Sequence, residues 1–147
     1  MKEKDFQTKF GNWIKTHKES LEIKPAVYEL KLEKGQSFAF NKVKEHQIKA
    51  LLEAKHTGLY HKIADQTIGK GGKFGMTLKK PFDCFYVKGI KAFVVIGFYT
   101  PRKKIEAVFV DIDKFIEVKN WYLNNGKKSA PKEHWKQMSN KFFRLVS

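Results

Sequence analysis

Lys91-Ala92-Phe93-Val94-Val95-Ile96-Gly97-Phe98-Tyr99 is the stretch on which the fold turns. Its unbroken apolar run, Phe93-Val94-Val95-Ile96, marks the centre of a sheet, because a strand with no polar alternation has protein on both sides. Upstream, residues 81–87 read as a second strand, joined to it at Lys88-Gly89-Ile90 in the manner of a hairpin. Downstream, the turn Pro101-Arg102-Lys103-Lys104 leads into a strand over 106–111. Asp111 or Asp113 then caps a helix through Trp121. Asn124-Asn125-Gly126 ends that helix, and a last helix begins near Ser129-Ala130-Pro131.

Toward the N-terminus, residues 4–18 form an amphipathic helix with Phe6, Phe10, Trp13 and Ile14 along one face. Pro25 opens the extended run Ala26-Val27-Tyr28-Glu29-Leu30-Lys31-Leu32. Period-two alternation there puts Val27, Glu29 and Lys31 on one face and Tyr28, Leu30 and Leu32 on the other. Residues 35–40 are a turn and crossover, and Asn41 caps a helix over 42–55. Val43, Gln47, Ala50 and Ala54 share a face of that helix, flanked by Leu51, so the Gln47 amide points toward the core and must find partners there. The glycine-rich stretch 56–80 lacks periodicity and reads as a functional or mobile loop. The order α, β, α, hairpin, β, α, α describes an α+β fold, a central mixed β-sheet flanked by helices, in a single domain over 1–147 with a basic insertion at about 56–80.

Composition narrows the function. Thirty Lys or Arg against 15 Asp or Glu give a net charge of +15, while 41% hydrophobic and 14% aromatic residues support a packed core. A partner rich in negative charge follows. Only Arg102 and Arg144 are arginines. Lysine is a point charge suited to phosphates rather than to guanine edges, so a nucleic acid held by backbone and shape is expected, the alternatives for a basic surface being a ribosomal or membrane-surface protein. No apolar run approaches a membrane span, and the opening residues lack a signal-peptide core, which implies a cytoplasmic protein without membrane contact. The single cysteine, Cys84, excludes an internal disulfide and a Cys-rich zinc site. No Gly-Lys-Ser/Thr opens a helix after a strand, so nucleotide binding is excluded as well.

Glu29-Leu30-Lys31 carries the chemistry. A Glu-x-Lys pair on a strand suits phosphodiester hydrolysis. The carboxylate and the intervening Leu30 carbonyl hold a divalent cation, and the ammonium orients water and stabilises phosphorane charge. In so lysine-rich a chain the bland alternative is a solvated ion pair. Asp111 and Asp113 resemble a metal pair but sit where a helix cap is needed. His46 lies about 100° round the helix from Gln47 and either contacts DNA or is solvated. Glu3, Asp5 and Gln7 on the first helix are candidates for an outer ligand. Trp121 and Trp135 read as core or dimer contacts.

The segment Tyr28-Glu29-Leu30-Lys31, Ser37-Phe38-Ala39-Phe40 and Lys44-Glu45-His46-Gln47 resembles the Glu-x-Lys, Ser-Phe-Pro and His-x-His-Gln sequence of the RecU-like Holliday-junction resolvases. Ala92-Phe93-Val94-Val95-Ile96-Gly97-Phe98, Val108-Phe109-Val110-Asp111 and Lys127-Lys128-Ser129 recur in that family's order. The likeness covers roughly residues 26–55 and 91–132. It implies a PD-(D/E)XK nuclease with a restriction-endonuclease-like fold, using Mg²⁺ or Mn²⁺. By that resemblance Glu29 is a metal ligand, Lys31 the catalytic lysine and Gln47 the glutamine that supports the site.

The chain departs from the family in one place. The strand preceding Glu-x-Lys normally carries an Asp, whereas residues 16–27 offer only Glu19 and Glu22. Asp83, in Pro81-Phe82-Asp83, is expected to supply the missing acid and share the cation with Glu29; the alternative is a turn residue. It is the lone acid among nine Lys or Arg between residues 70 and 104. Lys70, Lys73, Lys79 and Lys80, with Arg102 and Lys103, are expected to bind the DNA backbone. The expected activity is metal-dependent cutting of branched DNA, above all Holliday-junction resolution, by a homodimer whose two sites make the two symmetric cuts. The alternatives are a non-catalytic DNA-binding protein on the same fold and a nuclease for nicked, flapped or linear duplex.

Overall fold

The computed structural model describes residues 1–63, 67–68, 76–77 and 82–145. Helix α1 (Glu3–Thr16) is followed by a 3₁₀ turn (Lys18–Ile23), strand β1 (Ala26–Glu33) and the short β2 (Ser37–Ala39). Helix α2 (Glu45–Leu52) runs into a π turn (Glu53–Thr57) and then β3 (Leu59–Lys62). Two-residue strands β4 (Thr67–Ile68) and β5 (Met76–Thr77) precede β6 (Cys84–Val87), β7 (Lys91–Phe98) and β8 (Ile105–Asp111). The chain closes with α3 (Ile112–Asn124), β9 (Ser129–Pro131), α4 (Lys132–Met138) and β10 (Lys141–Leu145).

The main sheet has the order β1-β7-β8-β10. β1 runs parallel to β7, with Glu29 opposite Val94 and Lys31 opposite Ile96, and the other two pairings are antiparallel. The result is a mixed α+β architecture. Every residue of β7 after Lys91 is buried, as the apolar run requires. Val94, Ile96 and Phe98 pack beneath α2, α3 and α4 with Ile48, Leu51, Phe115 and Trp135. Phe93 and Val95 face the opposite layer, where Phe6, Phe10 and Trp13 of α1 meet Phe109 of β8. The alternation read along β1 holds, since Val27 joins the first layer and Tyr28, Leu30 and Leu32 join the second.

Several sequence readings need correction. β6 does not pair with β7 but with β3, antiparallel, because β1 and β8 already occupy both edges of the central strand. The link between β6 and β7 is instead anchored to the π turn, where the Ile90 N–H donates to the Ala54 carbonyl at 3.3 Å. The stretch 56–80 therefore begins with a strand. Helix α2 starts later than Asn41, at the Lys44 cap, where the Gln47 Oε1 accepts the Lys44 N–H at 2.9 Å. Residues 129–131 pair with β2, and the last helix begins only after the Pro131 cap. β10 closes the far side of the sheet and has no counterpart in the sequence reading.

Gly97 has a packing role. A Cβ there would lie 2.6 Å from the ring of Phe6, which is fully buried, so the missing side chain lets α1 lie against β7. Gly97→Ala is expected to destabilise the fold by about 1–3 kcal/mol through overpacking. Combining it with Phe6→Leu is expected to cost less than the sum of the two single changes. The urea midpoints of the four proteins in this cycle check it; additive losses would mean that the contact is slack.

Candidate active site at the sheet edge

β1 is an outer strand of the main sheet, and Glu29 and Lys31 emerge from the same face of it, two residues apart. The Lys31 Nζ lies 2.8 Å from the Glu29 Oε1, and both side chains are largely buried, at 12% and 22% exposure. α2 brings its first turn to the same place. The Gln47 Nε2 donates to the Glu29 Oε1 at 2.7 Å, while its Oε1 accepts from the Lys44 backbone. With both ends of the amide used, its orientation is fixed. The expectation that Gln47 points inward and finds a partner is met, and that partner is Glu29.

Glu3, in the first turn of α1, stands 3.9 Å from the Lys31 Nζ. α1 covers the Tyr28 face, so this contact reaches across the free edge of β1. Two carboxylates and one ammonium leave a local net charge of −1 within a chain of +15, which favours a cation. All these donors are hard oxygens. Mg²⁺ needs no more than one or two carboxylates, completing its shell with water and substrate phosphates, and Glu29 can supply one of them. Among the described residues no three His, Cys, Asp or Glu side chains gather into a larger metal-holding group.

The remaining expected residues fall elsewhere. Leu30 packs in the α1 layer, and only its carbonyl is a candidate ligand. Asp83 occupies the bend before β6, in a different sheet from Glu29, and its carbonyl accepts the Ile63 N–H at 2.8 Å. Glu22 pairs with Lys141, so that acid is engaged away from the site. His46, Arg102 and Lys103 are exposed. Lys70, Lys73, Lys79 and Lys80 lie outside the described residues.

Asp111 is a helix cap, accepting the Asp113 N–H at 3.0 Å. Lys55 bridges Asp111 at 2.7 Å and Asp113 at 2.5 Å, and His56 adds a contact to Asp113. The Lys55 hydrogen bond outweighs partial burial and holds the Asp113 carboxyl below its ordinary range. Nothing in the linear sequence announces this pairing across more than fifty residues. Comparisons with protein-family models, with curated proteins and with solved structures found no match to this chain.

One ion pair, between the buried Glu33 and the exposed Lys42, steadies the approach to the site. Glu33, at the end of β1, accepts from Lys42 at 2.6 Å and from the Gly35 N–H at 2.8 Å. Burial pushes its carboxyl up, but these donors outweigh it and set the value below the usual 4.5. A depressed carboxylate stabilises the fold above its unfolded value and loses that contribution as the pH falls through its folded value. Wild type is therefore expected to lose stability as the pH drops from about 4.5 downward. Glu33→Gln, weaker at pH 7, is expected to show a shallower loss across that window in denaturant melts. Parallel pH profiles for the two proteins would remove this role.

Proposed function

We propose that this protein is a Mg²⁺-dependent endonuclease on a restriction-endonuclease-like fold, which cuts branched DNA, specifically Holliday junctions, as a homodimer. The observation that carries the reading is the convergence of Gln47 on the Glu29–Lys31 pair, from elements 18 residues apart in sequence. A solvated surface pair requires no such half-buried, doubly bonded amide. The resemblance of the segment from Tyr28 to Gln47 to RecU-like resolvases points to the same three residues.

When bound, Mg²⁺ supplies charge neutralisation at the scissile phosphate and lowers the pKa of bound water. Glu29, with the Leu30 carbonyl, would hold it. Gln47 fixes the Glu29 carboxylate, so that little reorganisation accompanies the reaction. Lys31 directs a proton donor at the phosphate and stabilises the charge that develops there. Its neighbouring carboxylates keep the ammonium positioned until substrate arrives. The lysine-rich surface, including Lys103 and Arg102, holds the DNA backbone without reading its sequence.

Two acids compete for the second ligand position. Glu3 adjoins Lys31, whereas Asp83 precedes the hairpin strand that feeds β7 and lies in the most lysine-rich stretch. We assign Asp83 the role of migrated acid and Glu3 that of an outer ligand. Accordingly Asp83→Asn is expected to lower cleavage by two or more orders of magnitude, and Glu3→Gln by about tenfold. The reverse order would give the inner position to Glu3.

A non-catalytic DNA-binding domain is the second reading, favoured by the closed 2.8 Å ion pair between Glu29 and Lys31. Cleavage of a four-way junction in Mg²⁺ that EDTA abolishes separates the two, with nicked, flapped and linear duplexes run alongside. Lys31→Ala is expected to keep junction affinity and lose about a hundredfold or more in cleavage rate. A variant that still cuts at the wild-type rate would make Lys31 an ordinary surface lysine.

A further inference from the structure

The hairpin of β3 and β6 carries an aromatic face that phosphodiester chemistry leaves unused. Tyr60 and Tyr86 are direct cross-strand partners, so their side chains leave the same side of the hairpin. They are 63% and 62% exposed, and Phe82, just before β6, is 53% exposed. The opposite side is different. There His61 packs on Phe85 with ring centroids 5.3 Å apart, and Phe85, Leu59 and Val87 are half-buried.

One of the two tyrosines is also seated on backbone. A Cβ at Gly58 would come within 2.0 Å of the Tyr86 hydroxyl, so that phenol lies over a glycine whose φ of +110° disfavours any side chain. Tyr60 stands diagonally across the hairpin from Cys84, the next outward residue of β6. A pair of cross-strand rings, one of them seated against backbone and both open to solvent, is a prepared surface. Ordering it on binding costs little side-chain entropy.

Charge selects the occupant. Lys62 shares the tyrosine side of the hairpin, Lys88 follows β6, and the chain carries +15 overall. An apolar protein partner gains nothing from those lysines, whereas an anionic polymer with flat rings uses both features. Intact duplex has its ring faces already stacked. Bases of a single strand do not, and at a branch point the stack is interrupted, so ring faces are exposed where the strands part.

We propose that the Tyr60–Tyr86 face stacks on base faces left unstacked at the branch point of DNA. This rests on the nuclease reading and names the substrate feature that would confer preference for branched over linear DNA.

The test is fluorescence anisotropy in EDTA with three probes: a four-way junction, a mixed-sequence single strand and a linear duplex. The doubly substituted protein Tyr60→Ala, Tyr86→Ala is expected to lose about tenfold or more on the junction and the single strand, while duplex affinity stays within twofold. The Tyr→Phe pair is expected to retain affinity and the Tyr→Leu pair to lose it, since stacking needs a π face. As a check independent of any substitution, wild-type protein irradiated with bromouracil-containing single strand should crosslink at Tyr60 or Tyr86. Equal losses on all three probes, no loss at all, or crosslinks confined to other residues would overturn the proposal. So would conversion of a dimer to a monomer by the double substitution without DNA, because the face would then join two copies. Mg²⁺-dependent cleavage by wild type is scored separately. Cleavage with no change in probe preference sinks this inference alone, whereas DNA binding with no cleavage sinks the nuclease reading.

Discussion

Strand β7 has water on neither face, and the rest of the molecule is arranged to keep it so. Seven consecutive buried residues need a layer of helices above and below and a strand on each side. α1 supplies one layer, and α2, α3 and α4 the other. β1 can fill a neighbouring place because Tyr28, Leu30 and Leu32 contribute to the α1 layer. Its other face carries Glu29 and Lys31, whose desolvation in mid-sheet would be costly. The strand therefore belongs at the border, and the charged pair comes to lie where the ends of two helices approach it.

That border position sets the electrostatics. Lys31 lies between Glu29 and Glu3, and the neutral Gln47 steadies Glu29 without cancelling its charge. A lysine at position 47 would hold the carboxylate equally well but abolish the local net negative charge. The same residue closes the start of α2 by accepting the Lys44 N–H, so the geometry of the site and the first turn of the helix depend on one amide. Glu33 and Lys42 then fix the connection between β1 and α2.

The parts legible in the sequence were those governed by local periodicity. The run from Phe93 to Ile96, the alternation along β1, the capping by Asp111 and the inward Gln47 each follow from neighbours within a few residues. What stayed hidden depends on competition between distant segments. Residues 84–87 had the composition of a strand, but nothing nearby showed that β7 was already filled on both edges. β3 is short, and the glycines beyond it hid its alternation, although Tyr60 and Lys62 against Leu59 and His61 would have been the sign to follow. The Lys55 bridge to Asp111 and Asp113 required the fold to bring residues together. The Glu3 contact was anticipated only as a candidate, because the angle at which α1 crosses the sheet is set by Phe6 and Gly97.

An outer strand is also a hazard, since its unpaired backbone groups invite a second chain to add on. β1 is eight residues long, and Tyr28, Leu30 and Leu32 make one of its sides apolar. The charges of Glu29 and Lys31 interrupt its other side, and Pro25 precedes its first residue. The side chains assigned to chemistry thus also guard the chain against sheet-to-sheet aggregation. Charged residues at 29 and 31 therefore serve solubility independently of the proposed chemistry, and a chain without that activity would still have reason to keep them.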